Sequence, residues 1–136
     1  MERFREADRW LEEADWDLGN AEILLKARRY NAAAFYSQQS AEKAVKAMLY
    51  AFGEIPLGHS IRELLERCSK LGLDVKPMMA LALELDRHYI PSRYPNAHPS
   101  GPPHKAYDEH VGARVLDSAR QIVDYVKANV DRLRKT

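Results

Sequence analysis

Residues 30–59, YNAAAFYSQQSAEKAVKAMLYAFGEIPLGH, constrain the fold more than any other stretch of the chain. Ala34, Ala41, Val45, Met48 and Phe52 recur at helical spacing, so the segment reads as one long helix with an apolar face. That face is rich in small side chains, which let a neighbouring helix approach closely. Gln38 lies in the same row. A glutamine among packed residues must find hydrogen-bond partners, whereas simple core packing would place Leu or Ile there. Gly53 suits the residue just past the helix end, and Pro56 discourages continuation.

The flanking segments supply partners for this helix. Phe4, Ala7, Leu11, Ala14, Leu18, Ala21 and Leu25 form an amphipathic stripe and predict a first helix from about Arg3 to Ala27. The short connection Arg28–Asn31 makes the two helices antiparallel neighbours, with Asn31 as the expected N-cap of the second. Ser60-Ile61-Arg62-Glu63 fits a capping box opening a shorter third helix. Its buried face is Ile61, Leu64, Leu65, Cys68 and Leu71, and Gly72 stops it. Pro77 opens a fourth helix with Met78, Leu81, Leu85 and Tyr89 inward and Pro91 at its end. Residues 90–104, IPSRYPNAHPSGPPH, hold five of the seven prolines and read as a long loop, a length that often signals function. A final helix from about Lys105 to Arg134 keeps its period through Tyr107, Val111, Val115, Ala119, Ile122, Val126, Val130 and Leu133. The expected fold is all-α, an up-and-down bundle of four principal helices plus one short helix, forming a single helical domain over residues 1–136.

Composition narrows the function classes. With 21 basic and 20 acidic side chains the net charge is +1, so any nucleic-acid site must be local. The single cysteine, Cys68, rules out a disulfide within one chain and fits a reducing compartment. No stretch approaches the roughly 18 apolar residues that span a membrane. The N-terminus, MERFREADRW, lacks the apolar core of a secretory signal. A cytoplasmic protein is expected.

Chemistry concentrates near the proline-rich loop. His88, His98, His104 and His110 lie there, with Arg87 and Arg93 among them. Arg93 and His98 are the sharpest pair. Histidine can take a proton from a 2′-hydroxyl near neutral pH, and arginine can stabilise charge growing on phosphorus, so together they suit RNA cleavage without metal or cofactor. Against this stands a plain reading: Arg93 bridges to a helix carboxylate, Tyr94 plugs the bundle end and His98 is solvated. The intervals between the histidines match no usual metal-ligand spacing. On the second helix Gln38, Gln39, Glu42 and Lys43 form a polar cluster that could face a nucleotide, with His59 at the anion-favouring start of the third helix. The competing reading is an interhelical hydrogen-bond network plus an exposed Glu42–Lys46 pair. Trp10, Trp16, Tyr30, Phe35, Tyr36 and Tyr50 could stack on bases, but at helical spacing they read first as core or dimer-interface residues. Cys68, on an apolar face, reads as a buried thiol.

The run AFYSQQSAEKAVKAML, the following GHSIRELL, the later YIPSRYPNAH and the terminal DSARQIVDYV together resemble the HEPN domain family, over about Phe4 to Val130. The resemblance implies an all-α bundle, usually a homodimer, often encoded beside a minimal nucleotidyltransferase in a toxin–antitoxin-like pair. Many such proteins cleave RNA without a metal, through an arginine and a histidine a few residues later. Arg93 and His98 match that signature. Tyr94 stands where active members usually carry a polar residue, and Asn96 is the candidate replacement. Ser100 stands where some members carry a tyrosine that the partner modifies with AMP. The resemblance also implies an alternative, a non-catalytic nucleotide-binding or adaptor subunit; in that case the polar face of the second helix, with Gln38, Gln39 and Lys43, together with His59 and the proline-rich loop is expected to bind the nucleotide or the partner.

Overall fold

The small side chains of the second helix set the layout of the molecule. The structure is a computed structural model describing residues 2–136. Its five α-helices are α1 (Glu2–Lys26), α2 (Tyr30–Ala51), α3 (Ile61–Lys70), α4 (Lys76–Asp86) and α5 (Glu109–Arg134). Single 3-10 turns occur at Pro95–Ala97 and Pro103–Ala106. No strand occurs among the described residues. The fold is the expected all-α bundle, with α3 and α4 both short.

α2 runs between α1 and α5 and also meets α3, α4 and the second 3-10 turn. It is therefore enclosed on several sides, and 14 of its 22 residues are buried. Ala7, Ala14 and Ala21 of α1 face Ala-rich α2, and the close approach lets Ser40 Oγ donate to the carbonyl of Ala14 at 2.6 Å. Val115, Ala119, Ile122, Val123, Val126 and Val130 of α5 close the core.

Local rules account for most element ends. Ser60 caps α3, its Oγ accepting from Glu63 N at 3.2 Å. Asp86, the last residue of α4, supports the same end. Its carboxylate accepts from Ile61 N at 2.8 Å, Arg62 N at 3.1 Å and Ser60 Oγ at 3.1 Å. Gly53 and Gly72 end α2 and α3 with φ of 85° and 103°, a region where a side chain is strained.

Four expectations change. α4 ends at Asp86, well before Pro91, and Tyr89 lies in the turn that follows rather than on the helix. Asn31 is not the N-cap of α2. The helix begins two residues earlier, Arg29 occupies the cap position with no side-chain bond, and Asn31 Nδ2 instead donates to the carbonyl of Ser92 at 3.1 Å. A turn with Arg28 at φ 64° makes the corner tight enough to start the helix there. α5 begins at Glu109 rather than Lys105, because Asp108 accepts from Val111 N at 2.9 Å and caps it. Tyr107 is thus buried from the loop, not from the helix. Leu71 lies beyond the last turn of α3 and is 38% exposed instead of buried.

The Asp86 arrangement carries a prediction. Asp86→Ala removes three acceptor contacts from one helix start and lowers stability by about 1–2 kcal/mol. Urea denaturation followed by circular dichroism should show a lower midpoint with an unchanged slope.

Candidate active site

Beyond α4 the chain does not straighten at once. Arg93 N and Tyr94 N both donate to the carbonyl of Ile90, at 3.0 and 3.1 Å, and Ser92 Oγ donates to the carbonyl of His88. Pro95 then forces a new turn, and His98 follows in extended backbone. Arg93 and His98 consequently do not share an α-helix.

Each is tied back to the same turn. Arg93 donates from Nε and Nη2 to the carbonyl of Tyr89, at 3.1 and 3.0 Å. Its guanidinium carbon lies 4.4 Å from the ring centre of Phe35 and 4.9 Å from those of Tyr89 and Tyr94. Such faces attract a cation and hold its plane fixed. His98 Nε2 lies 2.6 Å from the carbonyl of Pro91. A carbonyl only accepts, so this nitrogen carries the proton and Nδ1 is left with its lone pair. The ring is held in one tautomer as a base requires. Asn96 is exposed on the intervening turn.

The polar residues of α2 divide. Gln38 is fully buried. Its Nε2 donates to Glu42 Oε1 at 3.2 Å and to the carbonyl of His59 at 3.3 Å, and its Oε1 accepts from Gln39 Nε2 at 2.7 Å. Lys43 turns the other way and pairs with buried Asp17 of α1 at 2.7 Å. It also lines a groove of 420 Å³ with Glu6, Arg9, Trp10, Glu12 and Glu13. Three carboxylates make that groove a poor place for a phosphate. The pair Glu42–Lys46, expected to be exposed, is buried, 3.1 Å apart, because α2 is enclosed on that side too.

His59 Nδ1 lies 3.2 Å from Glu42 Oε2, and its ring stacks on Tyr89 with centres 5.0 Å apart and planes at 18°. His59 therefore joins the ring that Arg93 also covers. Tyr89, expected only as an inward residue of the fourth helix, joins the site, and Glu42 and Phe35, expected in the polar cluster and among the stacking aromatics, enter it instead as partners of His59 and Arg93. One signal was present for Glu42, which follows Gln38 by one helical turn.

The remaining histidines stand apart. His88 is turned inward, with Nδ1 2.7 Å from Tyr107 Oη and Nε2 3.5 Å from Glu84. Burial lowers its pKa, although Glu84 pulls upward. Burial also pushes the Tyr107 hydroxyl up to about 12. For Glu84, burial works upward but is outweighed by Arg114 and His88, and the carboxyl sits below its usual range. His104 and His110 are exposed. Among the described residues, no three His, Cys, Asp or Glu side chains converge as a metal site would need. Burial pushes the Cys68 thiol up to about 12, which makes it inert as a nucleophile.

The family model described as the HEPN domain matches residues 7–129. The chain belongs to the HEPN domain family. Solved structures agree. This HEPN chain is similar to TT1696 from Thermus thermophilus, at 38% identity and a TM-score of 0.84, over 90% of this chain and 97% of that one. It is similar to ST0689, an archaeal HEPN homologue, at 34% identity and a TM-score of 0.77, over 92% and 98% of the two chains. It also resembles a HEPN domain protein from Thermotoga maritima, at 32% identity and a TM-score of 0.75, over 91% and 98%. No curated protein matches. Among the described residues, no helix of this HEPN bundle is long and apolar enough to cross a membrane.

His88 gives the bundle a pH dependence. Its folded pKa lies below the ordinary 6.5, so the unfolded chain binds more protons in that range. Its contribution to stability is complete above 6.5 and declines as pH falls through the lower folded value. Thermal melts should shift downward from about pH 7.5 to about pH 5.5. His88→Gln should flatten that shift.

Proposed function

We propose that this HEPN protein is a metal-independent endoribonuclease, dimeric, and paired with a minimal nucleotidyltransferase in a toxin–antitoxin-like system. The observation that carries the ribonuclease reading is the shared anchor. Arg93 and His98 are held by the carbonyls of Tyr89 and Pro91, two residues apart on one turn. In this reading His98 Nδ1 takes the proton of an RNA 2′-hydroxyl. Arg93, with Nη1 turned to neither carbonyl, steadies the phosphorane charge. Asn96, exposed between them, provides the polar neighbour.

Partnership with a nucleotidyltransferase rests on family resemblance. Dimerisation has a structural support as well. Trp16 and Ile23, two turns apart on one side of α1, are 70% and 67% exposed. The expected location in the cytoplasm accords with the single reduced cysteine.

One observation favours the competing reading of a non-catalytic nucleotide-binding or adaptor subunit. Arg93 sits among three aromatic rings, as a structural bridge would. Of the nucleotide-binding candidates for that reading, Gln38 and Lys43 already have internal partners, while His59 is open to solvent.

The two readings separate in one experiment. The dimeric protein should cut single-stranded RNA in EDTA. His98→Ala should lower that rate at least about 100-fold while leaving stability within about 1 kcal/mol. An adaptor would leave RNA intact, co-purify with its nucleotidyltransferase, and respond to Arg93→Ala mainly by melting earlier. Full cleavage by His98→Ala would remove that residue from the mechanism.

A further inference from the structure

Cleavage of RNA through its 2′-hydroxyl needs two proton transfers. One group removes the proton from O2′, and another delivers a proton to the departing O5′. His98 is suited to the first. Nothing in the Arg93–His98 pair performs the second, because arginine does not give up its proton in proteins.

His59 has the geometry of the missing donor. Glu42 is a buried carboxylate on α2, its side chain only 5% exposed, while the His59 side chain is 60% exposed. Their 3.2 Å contact involves Nδ1, and a carboxylate only accepts, so Nδ1 carries a proton. With Nδ1 engaged, Nε2 has no hydrogen-bond partner among the described residues, an arrangement in which a buried acid fixes the orientation of a half-open imidazole. Two further contacts hold it. The backbone carbonyl of His59 accepts from Gln38 Nε2 at 3.3 Å, and the ring lies flat on Tyr89. Tyr89 is also the residue whose carbonyl and ring hold Arg93. A solvated residue that merely shapes the entry of α3 has no need of a buried carboxylate, a stacked ring and a backbone anchor together.

We infer that His59, held by Glu42, is the general acid that protonates the leaving 5′-oxygen of a single-stranded RNA substrate. The inference rests on the ribonuclease reading above. His98 Nδ1 accepts the proton of O2′, and O2′ forms a bond to phosphorus. The bond from phosphorus to O5′ breaks, and the Nε2 proton of the His59 imidazolium passes to O5′. The products are a 2′,3′-cyclic phosphate and a free 5′-hydroxyl, and both histidines regain their starting protonation from water. Glu42 is a positioning residue. It touches no substrate, and Lys46 balances part of its charge at 3.1 Å.

A substrate with sulfur in place of the scissile O5′ tests this directly, since a thiolate departs without a proton. On ordinary RNA, His59→Ala and His59→Gln should each cut at least about 100-fold more slowly than wild type. On the sulfur-bridged RNA both variants should return to within about threefold of the wild-type rate, as expected when only acid catalysis is lost. His98→Ala should remain slow on both substrates, and Glu42→Gln should be slow on the first and recover on the second. Gln at position 59 retains a hydrogen bond to Glu42, so it guards against loss of folding, and melting curves of all variants check this. Wild-type rates for both His59 variants on ordinary RNA would overturn the assignment. So would a defect that sulfur does not relieve, which would mark His59 as a structural support. If the wild-type protein cuts neither substrate in EDTA, the ribonuclease reading itself fails and the inference falls with it.

Discussion

A carboxylate buried inside a crowded helix is the constraint on which the site depends. Glu42 lies in α2, where neighbours on several sides leave little access to water. An unpaired charge there would be very costly, so its oxygens must be met by protein groups. Gln38, Lys46 and His59 meet them. Through His59 the requirement reaches Tyr89, and through Tyr89 it reaches Arg93. The same burial that makes α2 the axis of the bundle thus fixes side chains at the bundle's surface.

The site draws on two regions with different physical rules. α2 and the start of α3 are rigid and internally satisfied, with Asp86 binding the two ends of α3 and α4 together. The proline-rich segment has little core of its own and is held by backbone carbonyls. Asn31 fastens it to α2 through Ser92, and His98 fastens to Pro91. Its Arg93 and His98 side chains are placed by a few anchors on the packed helices beneath, as loop side chains commonly are.

Much of the fold was legible because its signals are local. The stripes of α1, α2 and α5, the capping Ser60 and the stopping glycines all depend on residues a few positions apart. The misreadings arose where distant partners decide. Asn31 has the right chemistry for a cap, but Ser92, far along the chain, takes its side chain. Glu42 and Lys46 have the spacing of a surface ion pair, and only the packing around α2 shows that they are inside. For Gln38 the sequence leaves a nucleotide and an internal network both open, and its three protein partners favour the network. In the site, Arg93 and His98 could be named from spacing and family pattern. Their anchoring to one turn, and the role of Tyr89 in joining Arg93 to His59, depend on a turn that the prolines announce without specifying.

On the proposed reading, this surface cleaves RNA by attack of the RNA's own 2′-hydroxyl. Mass spectrometry of fragments from a defined single-stranded RNA, incubated with the protein in EDTA, tests that claim most directly. Cleavage by that route leaves 2′,3′-cyclic phosphate on one fragment and a 5′-hydroxyl on the other. Fragments ending in 3′-hydroxyl and 5′-phosphate, or RNA left whole, would contradict it.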